Sequence, residues 1–139
     1  YEMCEELSRR YPNNRIIAYP DASGANSKTS AINTDHNILR QYNYVVKSAR
    51  VNPPVIDRIA SVNTAFYNKV GETRLTVQPK CKSLIKCLDK QVYKEGTRAP
   101  DKSAGLDHMP DALGYLVWGL MAIRRPVQHS KGPELFAHY

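Results

Sequence analysis

Apolar residues recur along the chain at two spacings, and the alternation between them lays out the elements. Met3 and Leu7, with charged residues between them, predict a short amphipathic helix ending before Pro12-Asn13-Asn14. Arg15 to Tyr19 (RIIAY) is a continuous apolar run bounded by turn formers, the pattern of a strand buried on both faces. Ser23 to Ser27 make a turn, and Ile32, His36, Leu39 and Tyr42 then return at helical spacing up to Asn43. Tyr44 to Lys47 predict a second short strand. Asn52 and Pro53 read as an N-cap and first-turn proline opening a helix on Val55, Ile59, Val62 and Phe66.

The second half continues the alternation. Thr73 to Val77 alternate polar and apolar residues, as in a strand with one solvated face. Lys80 to Glu95 predict an amphipathic helix with Cys81, Leu84, Ile85, Leu88 and Val92 on one side and Lys82, Lys86, Lys90 and Lys94 on the other. Residues 96–105 form a polar loop. Leu113, Leu116, Val117, Leu120 and Met121 mark a last helix, closed by Arg124-Arg125 and stopped at Pro126. Strands alternating with helices define an α/β class. The expected organisation is one domain over residues 1–125 and a tail or linker over 126–139.

Composition narrows the partners more than the fold. A chain of 139 residues with 42% hydrophobic content builds one core rather than two. The net charge of +7 suits phosphate backbones, an acidic protein or an anionic membrane surface alike. No run reaches the roughly 20 apolar residues that span a bilayer, and no leader opens the chain, so the expectation is a soluble intracellular protein. Cys4, Cys81 and Cys87 have no metal-site spacing and are expected as buried free thiols.

Two stretches concentrate candidate chemistry. In AYPDASG, residues 18–24, Asp21 stands just beyond the first strand, where turn chemistry and metal ligation both call for an acid. In LDHMPDALGY, residues 106–115, Asp107 reads as an N-cap with Pro110 in the tolerated first turn. His108 and Asp111, three residues apart, then share one face of the helix, whose N-terminus favours negative charge. Helix capping alone accounts for acids there equally well. Ligands in open α/β sheets gather at the carboxyl ends of strands, and a helix N-terminus brought to that edge would join both stretches in one site. Carboxylates converging with a His are how hard cations such as Mg²⁺ or Mn²⁺ are held. Paired ions about 4 Å apart serve phosphodiester hydrolysis, although two carboxylates are few for two ions. Of the basic residues, the lysine row 82, 86, 90 and 94 reads as a solvated face. Lys28, Arg58 and Lys102, which adjoin the motifs, are the candidates for phosphate contact. His36 reads as a core residue.

In this order, YPDASG (19–24), NPPVIDRIASVN (52–63), VYKEG (92–96) and HMPDALGY (108–115) resemble the C-terminal nuclease domain of the large terminase subunit of tailed bacteriophages. The resemblance spans residues 1–125. It implies a ribonuclease H-like (RuvC-like) mixed sheet flanked by helices, and a metal-dependent endonuclease that cuts concatemeric double-stranded viral DNA during packaging in the host cytoplasm. It also implies two Mg²⁺ or Mn²⁺ ions, with Asp21 and Asp111 as ligands and His108 as a ligand or proton shuttle. The family's first acid lies on an opening strand that this chain lacks, so the chain reads as an N-terminally truncated domain. No Gly-x-x-x-x-Gly-Lys-Ser/Thr loop is present. The implied partners are therefore an ATPase domain of the same parent chain, with the small terminase subunit and the portal. Two other readings fit the residues: a non-catalytic DNA-binding or docking module, and a junction resolvase or RNA:DNA hybrid nuclease on the same fold.

Overall fold

A computed structural model describes residues 1–26 and 34–121. Its order is helix α1 (Glu2–Arg10), strand β1 (Ile17–Ala18), helix α2 (Asp35–Gln41), strand β2 (Val45–Val46), then helices α3 (Val55–Phe66), α4 (Lys82–Lys90) and α5 (His108–Met121). The strands pair in parallel, Ile17 opposite Val45 and Ala18 opposite Val46, with α2 in the connection between them. This is a mixed α/β arrangement whose sheet, among the described residues, has two strands. The predicted tail at 126–139 and the closing Arg124-Arg125 lie outside the described residues, as do Ile32 and Lys28.

Two apolar clusters hold these elements. In the first, Cys4, Leu39 and Tyr44 are buried, with Leu7, Ile16, Ala18 and Val46 packed against them. The Tyr44 hydroxyl donates to the Cys4 carbonyl at 2.8 Å, so the one polar atom of that ring is satisfied. Asn43, at φ 61°, turns the chain from α2 into β2; asparagine tolerates this left-handed conformation better than most side chains. The second cluster joins α3 to α5 through Val62, Ala65 and Val117, with Phe66, Leu75, Leu113 and Met121 around them.

Several expected elements differ. β1 is not buried on both faces: Ile16 and Ala18 face the first cluster, while Ile17, pointing the other way, is 41% exposed. Thr73–Val77 keeps its alternation, Leu75 and Val77 half-buried and Arg74 and Thr76 exposed, yet pairs with no strand among the described residues. It is anchored instead to the end of α3, where the Arg74 and Leu75 amides both donate to the Ala65 carbonyl at 2.8 Å. The helix expected over 80–95 stops at Lys90. Residues 92–101 fold back on themselves, with the Lys94 amide donating to Ala99 and the Asp101 amide to Val92. Asn52 does not cap α3, which starts after Pro54 with no side-chain cap. Cys4 is buried as expected, whereas Cys81 and Cys87 are only half-buried; all three are free.

Candidate active site

Asp21 directly follows β1 and organises the turn after it. Its Oδ1 accepts from the Ser23 amide at 2.7 Å, the Gly24 amide at 3.2 Å and the Ser23 hydroxyl, capping one 3-10 turn over Ala22–Ala25. The turn is held from two further directions. Buried His36 donates from Nε2 to the Asp21 carbonyl at 2.9 Å, and the Ala22 amide donates to Asn52 Oδ1 at 2.7 Å. Gly24 makes the first of these approaches feasible, since a Cβ there would stand 2.8 Å from the His36 ring. The Ser23 hydroxyl bond, foremost, and the two backbone amides hold the Asp21 carboxyl below its usual range against a partial burial penalty, with the nearby His36 adding slightly. Oδ1 is thus committed to the turn. Oδ2 makes no hydrogen bond among the described residues.

The second acid sits in the first turn of α5, whose amide bonding starts with Asp111 N–H donating to the Asp107 carbonyl at 2.8 Å. Asp111 Oδ1 accepts from Arg58 Nη1 at 3.0 Å; the Arg58 side chain is 6% exposed, that of Asp111 31%. The Arg58 guanidinium also lies over the Tyr115 ring, 4.2 Å from its centroid. Lys102 Nζ reaches buried Asp107 Oδ2 at 3.4 Å and Asp111 Oδ2 at 3.9 Å.

Tyr115 ties the two acidic segments together. Burial, foremost, raises its phenol pKa; the charges of both Asp21 and Asp111 raise it further, while Arg58 and Lys102 act against them. Both carboxylates are therefore within electrostatic reach of one hydroxyl. The packing agrees, because Tyr19, just after β1, lies so close to α5 that its ring leaves no room for a Cβ on Gly119. Lys47 Nζ stands 5.9 Å from the centroid of the same ring.

The expected three-ligand cluster is not formed. Among the described residues no three His, Cys, Asp or Glu side chains gather as a cation would require. The charges of Asp21 and Asp111 both act on Tyr115, but His108 is exposed on α5 and stands in no such group. Arg58 departs from its expected role most clearly: it is buried and paired to Asp111, so its guanidinium is a wall of the site rather than a surface contact for phosphate. Lys102 bridges two acids but is 64% exposed and accessible from outside. His36 is in the core, as expected. Sequence reasoning missed the roles of Asn52 and Tyr115. Asn52 gave a capping signal that its Pro53 neighbour reinforced, and Tyr115 lay in the singled-out LDHMPDALGY stretch one helical turn after Asp111, a spacing that could have marked it.

Beside Asp111 lies a cavity of about 250 Å³ between α3, α4, α5 and the 92–101 fold-back. Comparison with known protein families, curated proteins and solved structures finds no match for this chain. No helix among the described residues is long and apolar enough to cross a membrane.

Proposed function

We propose that the chain is a divalent-cation-dependent DNA endonuclease domain of the terminase type, built on a ribonuclease H-like fold. Its task would be cutting concatemeric viral DNA during packaging in the host cytoplasm, beside an ATPase domain of the parent chain, the small subunit and the portal. The observation that supports this reading is that Asp21, at the end of a parallel strand, and Asp111, at the start of a helix packed against Tyr19 of that strand's end, both act electrostatically on Tyr115.

The donor set fits a single hard cation. Mg²⁺ keeps several waters and needs only one or two carboxylates. Among the described residues Asp21 Oδ2 makes no hydrogen bond, and Asp111 Oδ2 meets Lys102 at 3.9 Å. Two ions would require a further acid. A bound Mg²⁺ or Mn²⁺ would supply an activated water and charge neutralisation at the phosphate. The protein's part is positional. The turn bonds fix the Asp21 carboxylate, Arg58 orients Asp111 through Oδ1, and exposed Lys102 stands where an approaching phosphate would meet a cation.

The non-catalytic alternative, a DNA-binding or docking module, is favoured by one observation: Arg58 and Lys102 already neutralise the acids of α5. Nicking of supercoiled plasmid decides between them. The nuclease reading expects relaxed and linear products with Mg²⁺ or Mn²⁺, none with EDTA, and loss of cutting in both Asp21→Asn and Asp111→Asn. Plasmid binding with equal, negligible cutting in all three proteins would favour the alternative.

A further inference from the structure

More than half of the chain's charge imbalance sits in one short stretch. Residues 80–102 hold seven Lys and Arg against three Asp and Glu, a net +4 of the chain's +7. Within that stretch Lys82, Lys86 and Lys90 follow one another at four-residue spacing along α4, and all three are exposed. Leu84, Leu88 and Gln91, on the opposite side of the helix, are half-buried, and Leu88 and Gln91 line the cavity shared with α5. The expected fourth member, Lys94, lies past the end of the helix. Among the described residues none of the three lysines forms an ion pair, not even with Asp89, the one acid of α4.

A solvated helix face ordinarily mixes signs, so that acids and bases four residues apart support the helix. On α4 the arrangement is the reverse. Like charges meet twice at that spacing, and Lys82 stands in a first turn that has no acid and no side-chain cap, where the helix dipole disfavours a cation. Packing on α5 holds the helix in spite of this, and local choices that cost stability without a structural return are the mark of a functional surface. The chemistry of the row selects its partner. A helix lying in a membrane surface needs its apolar side free, whereas that side of α4 is turned to the cavity and α5. Protein interfaces are poor in Lys and rich in aromatic residues and Arg, and α4 contains neither of the latter. A regular polyanion matches best. Lys82 to Lys90 span about 12 Å of helix axis, about three steps of one duplex strand at about 3.4 Å each.

We propose that the outer face of α4 is a track for duplex DNA, with Lys82, Lys86 and Lys90 each meeting a phosphate of one strand. The proposal rests on the DNA reading above and adds to it where the duplex lies. Because α4 packs on α5, phosphates held by the row are fixed in position relative to Asp111. The basic residues also continue toward the acids: the 92–101 fold-back carries exposed Lys94 and Arg98, and Lys102, next along the chain, reaches Asp107 and Asp111.

The test follows binding of a short fluorescein-labelled duplex by anisotropy over a series of KCl concentrations, in EDTA so that nothing is cut. Each phosphate contact contributes about 0.9 to the slope of log affinity against log salt concentration. The triple variant Lys82→Gln, Lys86→Gln and Lys90→Gln should bind more weakly at low salt, with a slope shallower by about 2 to 3. Lys82→Arg, Lys86→Arg and Lys90→Arg together should keep the slope. The control Arg15→Gln, Lys69→Gln and Arg74→Gln removes the same charge from exposed positions elsewhere and should change the slope by less than about 1. Glutamine is as good a helix former as lysine, and circular dichroism checks each fold. A slope in the row variant that matches the unaltered chain, as a docking site for an acidic protein would give, or that falls no further than in the control, overturns the track and leaves the nuclease reading standing. The expected slope change without metal-dependent nicking by the unaltered chain supports the track and overturns the nuclease reading. Absence of duplex binding by the unaltered chain overturns both.

Discussion

Asp21 draws its properties from its own turn. Three donors converge on one of its oxygens, so the ionised form is favoured in the folded chain and less so in the unfolded one. Because the folded carboxyl titrates below its unfolded counterpart, near 3.9, its contribution to stability is complete above that value. It is lost as pH falls through the folded value. Asp21→Asn removes this component. Urea unfolding at pH 6 and at pH 3 checks it: the wild-type chain should lose more stability between the two than Asp21→Asn does, and equal losses would mean that the turn bonds do not discriminate the charged form. At the same scale, Asn52 illustrates a limit of sequence reading. Asn before Pro-Pro signals a helix start, and only the folded chain shows its amide oxygen taken by Ala22, thirty residues earlier.

At the scale of elements, α3 and α5 form the most extensive contact among the described elements. Val117 is 1% exposed and Ala65 2%, and between them the two helices bring Arg58 to Asp111 and to Tyr115. Val117→Ala removes two buried carbon groups and should destabilise the chain by about 2 kcal/mol, the transfer contribution plus part of a cavity term. Chemical denaturation measures it, and a change below about 0.5 kcal/mol would show that the cluster collapses around the gap. The helices were legible because a 3.6-residue apolar period needs no knowledge of the partner: Val55 to Phe66 and the start of α5 follow the expectation closely. Strands were less legible because their pairing is not local. Thr73–Val77 carries a good two-residue alternation, and the chain spends it on packing Leu75 against α3 and α5 rather than on a ladder. The helix over 80–95 was overextended for a related reason. Val92 continues the apolar period, but the backbone at Gln91 leaves the helix so that residues 92–101 can close one wall of the cavity.

At the scale of the whole molecule, the two apolar clusters each deliver one acid. The first, around Tyr44, carries β1 and the Asp21 turn, and the second, around Val117, carries Asp111. The Tyr19–Gly119 contact joins them across the face where Tyr115 lies. Both acids were legible in the sequence as candidates. Their counter-charges were not, since nothing in the order of residues predicts that Arg58 buries itself against Asp111 or that Lys102 spans Asp107 and Asp111. The account stands or falls on whether these two acids act together on one cation. Calorimetric titration of Mn²⁺ into the chain, into Asp21→Asn and into Asp111→Asn is the most direct measurement. The account predicts binding by the unaltered chain that is lost in both variants; binding undiminished in either variant, or no binding by the unaltered chain, would contradict it.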